Sequence, residues 1–412
     1  MEFKRELYVK KLISNKHNHL IKVVTGLRRV GKSYLLFKLF RQHLLDIGVE
    51  ADHIIEVQLD SFAHRQYRRA ETLYEYVESL SRRDSQMYYV IIDEVQMLED
   101  FVDVLNGFLH VENLDVYVTG SNARFLSSDV VTEFRGRGVQ IHLQPLSLKE
   151  IKENSDEDVS LLWRDYIYYG GLPMVLLEEN KSRKVEMLQG LLRETYLSDI
   201  VNHNKVKNDA ELEELFCLLA SNIGALTNPS RLANTFVSEK KVNISHNTIK
   251  SYIDYFIDSF LIDRAVRYDI KGKKYIDTPY KYYFADIGLR NALLNFRQVE
   301  PTHIMENIVY NHLRGMGYKV DIGSITNYKK NQEGKTVRST VEIDFVCNRG
   351  DERVYIQSAY SLPDAEKLDQ EQRSLSLTGD SFAKIILTTD NIPAHNLPNG
   401  ILVMNVFDYL LK

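Results

Sequence analysis

The sequence predicts an α/β fold, with a parallel sheet over residues 1–147 and further domains behind it. Two observations support this prediction. Short β-branched or apolar runs alternate with helical patterns along the first part of the chain, which is typical of a parallel sheet covered by helices. One such run, HLIKVVTG at 19–26, ends in a glycine-rich turn that leads directly into a helical pattern at 31–45. A sheet of this kind binds its ligands at the carboxyl ends of its strands.

The composition is that of an ordinary globular protein. The chain has 412 residues, of which 44% are hydrophobic and 26% charged, and its formal net charge is −5. At this length several domains are expected. Because the average charge is acidic, any contact with nucleic acid has to come from a local basic patch. The two cysteines lie far apart and no run is apolar enough to cross a membrane, so we expect a cytoplasmic protein with reduced thiols.

The glycine-rich turn has the pattern G-x-x-x-x-G-K-S. Between a strand and a helix, this pattern predicts a phosphate-binding loop, because the loop amides and the helix N-terminus surround the phosphates. We expect Lys32 to contact the β and γ phosphates of ATP, and the hydroxyl of Ser33 to bind Mg²⁺. The predicted nucleotide-binding residues are Gly26, Leu27, Arg28, Arg29, Val30, Gly31, Lys32, Ser33 and Tyr34.

A second apolar run ends in two carboxylates. The segment MYYVIIDEVQ at 87–96 resembles a buried parallel strand and carries Asp93 and Glu94 at its end. We expect Asp93 to hold Mg²⁺ through water and Glu94 to polarise the attacking water. The alternative is an acidic pair that only caps the next helix. The glycine-rich loop upstream favours the catalytic interpretation.

Polar and basic residues follow in the segment that leads to the last strand of this sheet. The strand LDVYVTGSN at 114–122 brings Thr119 and Asn122 to the rim beside Asp93. We predict that Asn122 orients the water or senses the γ-phosphate, although a polar turn is the alternative. Downstream, Arg137 precedes another strand and could stabilise charge in the transition state, in cis or on a neighbouring subunit. A solvated loop arginine is the alternative.

Together, GLRRVGKS, YYVIIDEVQ, VYVTGSN and the FRGRG before LQPLSLKE resemble the AAA-type ATPases of bacteria and archaea, which are related to STAND and origin-recognition ATPases. The resemblance continues through YYGGLPMVL at 168–176 and nearly to the C-terminus. It implies an N-terminal ATPase that uses ATP and Mg²⁺, followed by a region of unknown function. The positions that match the motifs of the family are Lys32, Ser33, Asp93, Glu94, Asn122 and Arg137.

Two helical regions separate this ATPase from the C-terminal third. The resemblance implies a small helical lid at 148–207. At 208–300, two helices, a third helix capped by Ser245 and two strands around a basic turn indicate a winged helix. Such a module can contact DNA phosphates, and docking of protein partners is the alternative. The side chains predicted to face DNA are His246, Asn247, Lys250, Arg264, Arg267, Lys271, Lys273, Lys274 and Lys281.

The last region, 301–412, is predicted to be an α/β domain that resembles the PD-(D/E)XK nucleases. A helix carries Glu306, and a strand carries Asp344 in an apolar context where a carboxylate needs a partner or a metal. The (D/E)-x-K element falls on Gln357-Ser358-Ala359, so alanine stands where these nucleases have a lysine. We expect a degenerate site formed by Glu306, Asp344 and Gln357. Replacement of the missing lysine by Lys367 is the alternative.

These observations predict a Mg²⁺-dependent ATPase that works as a homo-oligomer, with DNA as its preferred partner and no membrane association. ATP binding and hydrolysis would change the relative positions of the lid, the winged helix and the C-terminal domain. Two alternatives stay open. The first is an ATP-gated nuclease that cuts DNA at Glu306 and Asp344. The second is a nucleotide switch with negligible turnover that acts through protein partners, as STAND regulators do.

Overall fold

Two compact units make up the chain. The computed structural model describes residues 2–120, 136–240, 244–330 and 336–412. The first unit comprises Met1–Pro145 and Asp258–Phe260, and the second comprises Leu146–Ile257 and Leu261–Lys412. The division expected from the sequence, with boundaries after residues 147, 207 and 300, differs from this arrangement. One compact unit covers the ranges predicted as lid, winged helix and nuclease-like domain.

A five-stranded parallel sheet forms the centre of the first unit, which confirms the predicted fold class. Its strands are β1 (Ile21–Thr25), β2 (Ile54–Gln58), β3 (Tyr88–Asp93), β4 (Leu114–Thr119) and β5 (Gly138–His142). They lie in the order β2, β3, β4, β1, β5, and the pairs are parallel. The carboxyl ends therefore share one edge, where the segments after β1, β3 and β4 come together.

Helices on this sheet supply the rest of the core of the first unit. The helix after the glycine-rich loop begins as Lys32–Tyr34, passes through a π-helical segment at Leu35–Phe40 and ends as Arg41–Asp46. The other helices are Glu6–Ser14, Ala70–Ser81 and Phe101–Phe108. The side chains of β1 and β3 are buried along both strands. This burial explains why these strands have near-continuous apolar sequences instead of alternating ones.

The second unit begins with helices and short helical turns. Before the first strand of this unit, the helices are Leu148–Lys152, Val159–Tyr169, Pro173–Leu176, Lys181–Gly190, Ser198–Asn204, Asp209–Ser221, Pro229–Thr235 and His246–Asp258. Ser245 accepts a hydrogen bond from the amide of Thr248 at 3.0 Å, as an N-cap residue does. The helix Ile287–Leu293 follows the second strand, and Pro301–Gly315 precedes the third. The helices Ala365–Ser376 and Val406–Leu410 lie further along the chain.

An eight-stranded mixed sheet completes the second unit. Its strands are β6 (Ile262–Asp269), β7 (Lys274–Phe284), β8 (Lys319–Lys330), β9 (Thr336–Arg349), β10 (Glu352–Ser358), β11 (Ala383–Thr388), β12 (His395–Asn396) and β13 (Leu402–Asn405). The order is β12, β13, β11, β10, β9, β8, β6, β7.

The hairpin predicted as a wing belongs to this sheet. β6 pairs with β7 in the antiparallel sense and with β8 in the parallel sense. It is therefore continuous with the strands that carry the nuclease-like residues. The predicted boundary at residue 300 cuts through this sheet, because a pairing between strands 50 residues or more apart leaves no local signal in the sequence.

Over the described ranges, none of the helices has both the length and the apolar character that a membrane crossing requires.

Candidate functional site

The glycine-rich loop joins the carboxyl end of β1 to its helix. Lys32 is only 5% exposed. Its Nζ donates hydrogen bonds to the carbonyl oxygens of Gly26 at 3.1 Å and Leu27 at 3.0 Å. The ammonium group thus lies inside the loop it belongs to. In loops of this pattern the lysine contacts the β and γ phosphates when a nucleotide is bound.

The backbone of the loop explains where glycine is required. Gly31 has φ of 101°, a left-handed value, and it precedes the first residue of the helix. At Gly26, where φ is 141°, a Cβ atom would overlap the carbonyl oxygen of Leu143 after β5. Arg29 also adopts a positive φ, 63°, which is uncommon for a residue with a side chain. Glycine is therefore favoured at Gly31 by its backbone conformation, and at Gly26 both by its conformation and by the close approach of Leu143.

Other residues of the predicted nucleotide set have different surroundings. Arg28 and Arg29 are exposed, whereas Leu27 and Val30 are buried and anchor the loop to the core. Tyr34 is 38% exposed and its hydroxyl bonds to Glu2. The loop thus combines a buried apolar support with cationic side chains on its outer face.

Asp93 and Glu94 lie at the same edge of the sheet, at the end of β3. Thr119, the last residue of β4, donates a hydrogen bond from its hydroxyl to Oδ1 of Asp93. The same hydroxyl oxygen accepts a hydrogen bond from the amide of Glu94 at 2.9 Å. Glu94 has φ of 52°, and its carboxylate accepts a hydrogen bond from the side chain of Gln96. A threonine thus fixes both acidic residues relative to each other.

Burial and the neighbouring polar or charged groups shift the pKa values of Lys32 and Asp93 in opposite directions. Burial lowers the pKa of Lys32 to about 8, although Glu94 and Asp93 act in the opposite direction. Burial raises the pKa of Asp93, and hydrogen bonds from the hydroxyls of Thr119 and Ser33 partly offset this effect. The hydroxyl of Ser33 and the carboxylate of Asp93 are therefore in contact. An oxygen donor set of this kind suits Mg²⁺, which prefers few protein ligands and retains water.

Of the two remaining predicted catalytic residues, Asn122 and Arg137, the structure describes Arg137. Asn122 lies outside the described residues. Arg137 is exposed, and its carbonyl oxygen accepts a hydrogen bond from the amide of Ile21 at 2.9 Å. Because β5 runs parallel to β1, with Gly138 opposite Ile21, Arg137 lies at the amino end of the sheet. Arg137 is thus level with Leu20, and its backbone lies about six residue steps, roughly 20 Å, from the start of the phosphate-binding loop at Gly26.

A second polar group occurs in the second unit, around Glu306. Glu306 is 7% exposed. Its Oε1 accepts hydrogen bonds from the Nζ of Lys281 at 2.9 Å and from the hydroxyl of Tyr283 at 2.6 Å. Lys281 Nζ is also 2.8 Å from Oε1 of Glu342 and 4.0 Å from Oδ1 of Asp344. We refer to Lys281, Glu306, Glu342 and Asp344 as the carboxylate cluster.

Lys281 corrects a sequence-based expectation. It was predicted to face DNA from the wing, but it is 3% exposed and its ammonium lies inside the carboxylate cluster. The lysine that is absent at Ala359 thus has a counterpart from β7. One sequence signal could have indicated this position: Lys281 precedes the aromatic run Tyr282, Tyr283, Phe284, and a lysine in an apolar strand needs an acidic partner.

The remaining nuclease-like residues pack beside the cluster. Oδ2 of Asp344 accepts a hydrogen bond from the amide of Ser358 at 2.8 Å, and Gln357 Oε1 lies 3.4 Å from the amide of Asp344. Lys367, the alternative replacement for the missing lysine, instead pairs with Glu371 at 2.6 Å. Gln357 therefore supports the backbone around Asp344 and adds no charge to the cluster.

The ionisation of the cluster depends on Lys281. Burial disfavours its ammonium, but the three neighbouring carboxylates raise the pKa of Lys281 well above its ordinary value. Burial also opposes the ionisation of Glu306, yet Lys281 and the surrounding donors lower the pKa of Glu306. Burial and the charge of Glu306 raise the pKa of Asp344. At neutral pH the cluster is thus an ion assembly in which the ammonium is the central cation.

Apart from the buried Lys281, most side chains predicted to contact DNA are exposed. His246, Asn247 and Lys250 are exposed on the helix His246–Asp258, and Lys271, Lys273 and Lys274 are exposed at the hairpin turn. Arg264 and Arg267 are only half-buried. Lys271 and Lys273 line a cavity of about 680 Å³ whose wall also carries Asp351, Glu352 and Asp380. The charge at this turn is therefore mixed, whereas the start of the helix presents polar and basic groups.

Comparison with known families supports the fold assigned to the first unit. Residues 18–152 match an AAA domain, and residues 160–300 match a domain of unknown function, DUF8612. The first match contains the glycine-rich loop, Asp93, Glu94 and Thr119. It confirms the prediction of an AAA-type P-loop ATPase domain.

Similar proteins occur in bacteria and archaea. An uncharacterized protein of Haemophilus influenzae is 32% identical over 99% of this chain and 98% of its own length. An uncharacterized protein of Methanocaldococcus jannaschii is 27% identical over 87% of this chain and 77% of its own length. A Walker-type ATPase of Pyrococcus abyssi has 17% identity and a TM-score of 0.48, over 71% of this chain and 96% of that one.

Proposed function

The chain belongs to the family of its Haemophilus influenzae relative and has an AAA-type P-loop ATPase domain, and from this premise we propose that it binds and hydrolyses Mg²⁺-ATP to drive a conformational change. One observation carries the proposal. Lys32, Asp93, Glu94 and Thr119 converge at the carboxyl edge of the parallel sheet, and hydrogen bonds fix the acidic pair. Nucleotide chemistry in such sheets takes place at this edge.

Each of these side chains has a distinct role in the proposal. Lys32 exchanges the carbonyl oxygens of Gly26 and Leu27 for the β and γ phosphates of ATP. Ser33 and Asp93 would hold Mg²⁺, whose charge offsets the negative charge of the phosphates. Glu94 polarises the attacking water. Thr119 is a positioning residue, since it bonds to Asp93 and to the backbone of Glu94.

Arg137 acts in the proposal on a neighbouring subunit. It lies at the amino end of β5, while the loop that binds ATP follows the carboxyl end of β1. An arginine at that distance cannot contact the γ-phosphate bound by its own chain. It is exposed and free to enter the site of another copy, as an arginine finger supplied in trans does. The proposed working unit is therefore a homo-oligomer.

DNA is the proposed partner of the second unit. His246, Asn247 and Lys250 are exposed at the start of a helix that the sequence assigns to a helix-turn-helix module. Polar and basic side chains at such a position contact base edges and phosphates. Because the net charge of the chain is −5, a local surface of this kind has to provide the attraction.

ATP hydrolysis by the purified chain tests the proposal. We expect wild type to turn over ATP, and both Lys32→Ala and Glu94→Gln to lose turnover. Lys38→Ala is the matched control, because Lys38 is an exposed lysine on the same helix. Turnover per chain should rise with protein concentration and with added duplex DNA. A wild-type chain that binds ATP but does not hydrolyse it under any of these conditions would instead favour the nucleotide switch.

We further infer that the carboxylate cluster does not cut DNA. The ammonium of Lys281 bonds to Glu306 and Glu342, so it uses the carboxylate oxygens that a metal-dependent nuclease needs for Mg²⁺. Incubation of plasmid DNA with Mg²⁺ or Mn²⁺, with and without ATP, tests this inference. Cutting that disappears in Asp344→Ala would establish the ATP-gated nuclease.

A further inference from the structure

A third polar group lies in the first unit, at the amino end of β2. Glu50, Asp52 and His53 belong to the short turn that leads into this strand. One ligand atom from each residue lies within 4.8 Å of the other two. Nδ1 of His53 is 3.2 Å from Oδ1 of Asp52 and 3.8 Å from Oε2 of Glu50. Within the described ranges, this is the one group of three such residues that comes so close together.

The histidine of this group is buried and has an unpaired nitrogen. The side chain of His53 is 5% exposed, and its ring packs 4.5 Å from the ring of Tyr88. Nε2 lies 3.1 Å from Oδ2 of Asp84, a carboxylate oxygen that accepts a hydrogen bond when Nε2 carries a proton. Nδ1 is buried and has no hydrogen-bond partner. With the proton on Nε2 alone, the lone pair of Nδ1 faces two carboxylates, and a bound cation would stabilise this arrangement.

The spacing of the three atoms suits a transition-metal ion. Ligand atoms bound at about 2.1 Å in a tetrahedron are about 3.4 Å from one another, and the two distances from Nδ1 lie on either side of this value. Asp84 completes the arrangement, because a histidine that binds a metal commonly donates its other N–H to a carboxylate. Glu50 and Asp52 have side chains that are 68% and 70% exposed, so water can fill a fourth position.

We propose that Glu50, Asp52 and His53 form a binding site for a divalent transition-metal ion of the Zn²⁺ class, with Asp84 orienting the histidine. Imidazole nitrogen together with carboxylate oxygen suits Zn²⁺ better than Mg²⁺, which prefers oxygen alone. The site is separate from the proposed ATP site. In the parallel pair β2 and β3, Ile54 lies opposite Tyr89 and Gln58 opposite Asp93, so the metal binds one strand length away from the nucleotide edge.

The proposed metal stabilises the first unit and takes no part in hydrolysis. It connects the turn before β2 to the segment around Asp84, which precedes β3. A ligand that binds only the folded state raises its stability in proportion to the logarithm of the ligand concentration. Zn²⁺ should therefore raise the melting temperature of the wild-type chain in a concentration-dependent way.

Zn²⁺ titration of the full chain tests the proposal, by calorimetry without nucleotide and by the visible absorption of Co²⁺ as a probe. We expect one ion per chain, with binding lost in His53→Gln and in the double variant Glu50→Gln, Asp52→Asn. The double variant changes exposed side chains only, so it stays informative if His53→Gln fails to fold. Asp84→Asn should weaken binding about 10–100-fold, because loss of a carboxylate that orients a metal-binding histidine typically lowers metal affinity by this factor. His110→Gln, at an exposed histidine of the same unit, is the control and should bind as wild type does.

The competing explanation is a doubly protonated His53 held by the three carboxylates. In that case the wild type binds no Zn²⁺, or binds it as well as the double variant does, and either result overturns the proposal. The test does not depend on ATPase activity, so failure here and failure of the proposed function are distinguishable.

Discussion

Replacement of Lys281 by methionine should destabilise the second unit strongly. Methionine keeps the length and the apolar stem of the side chain but removes the ammonium that bonds to Glu306 and Glu342. Glu306 is then a buried carboxylate that keeps the hydrogen bond from the hydroxyl of Tyr283 and the neighbourhood of His303 but has lost its ammonium partner. An uncompensated buried charge is among the most costly consequences of a single substitution.

The magnitude follows from this burial. Removal of one partner of a buried ion pair costs about 3–5 kcal/mol, and both Lys281 and Glu306 are less than 10% exposed. The cost should depend on pH. In wild type the lowered pKa of Glu306 contributes stability that is present above its unfolded pKa and is lost as the pH falls. In the variant this pKa is raised instead, so the free-energy difference should be largest near pH 8 and smaller near pH 5.

The chain has a built-in probe for this measurement. Trp163 is its single tryptophan, and it is buried in the second unit, against Phe407. Urea unfolding followed by tryptophan fluorescence therefore reports on the unit that contains the cluster. Lys274→Met removes an exposed lysine from the same strand and should change the free energy of unfolding by less than about 0.5 kcal/mol.

Two results would refute this reasoning. One is a loss below about 1 kcal/mol at pH 8, which would mean that the ammonium contributes no more than an exposed one does. The other is a loss of unfolding free energy that does not change with pH, which would mean that altered side-chain packing, and not the unpaired charge, causes the destabilisation. The double variant Lys281→Met, Glu306→Gln separates the two causes, because it removes the buried charge and should recover part of the loss.

Three further predictions concern the ATPase unit. Burial lowers the pKa of Lys32 to about 8, and the phosphates of bound ATP should raise it again, so ATP binding at pH 8.5 should be accompanied by proton uptake. Calorimetry in two buffers of different ionisation enthalpy measures this uptake, and the Lys32→Ala variant should not show it. Arg137→Ala should keep ATP affinity but lose about 10³-fold or more in turnover, and mixing it with Lys32→Ala should restore activity, whereas an arginine acting in cis would give an inactive mixture. Thr119→Val should lower turnover by about 10²-fold through misplacement of Glu94 with a smaller effect on ATP affinity, and an unchanged rate would remove Thr119 from the mechanism.

The candidate ATP site could be predicted from the sequence where the residues that form it lie close together along the chain. Lys32 and Ser33 belong to one contiguous loop, and Asp93 ends a strand whose apolar run is recognisable by itself. The contact between Thr119 and Asp93 could be expected in outline, since parallel strands end at a common edge. The double role of the Thr119 hydroxyl, which donates to Asp93 and accepts from the amide of Glu94, could not be predicted, because it depends on the register of β3 and β4.

The carboxylate cluster shows where sequence reasoning fails. Ala359 stands where the PD-(D/E)XK nucleases have their lysine, so the motif by itself indicates that no lysine is present. The ammonium instead comes from β7, through a sheet in which β6 pairs with β8. The spacing of residues along the chain does not encode this pairing. The apolar strand around Lys281 was a local signal, but it identifies only the need for an acidic partner and not the identity of that partner.

The backbone around Lys281 makes its ammonium a fixed part of the cluster. Tyr280 exchanges two hydrogen bonds of 2.8 Å with Thr227 on one side, and Lys281 lies opposite Ala265 of β6 on the other. Lys281 and Tyr283 are two residues apart on one strand, so both side chains point to the same face and both bond to Glu306. A metal ion would have to displace an ammonium that is held from both sides and is itself buried. The same residues that resemble a nuclease site therefore form a closed ion assembly, and this supports the inference that the second unit binds its partner without cutting it.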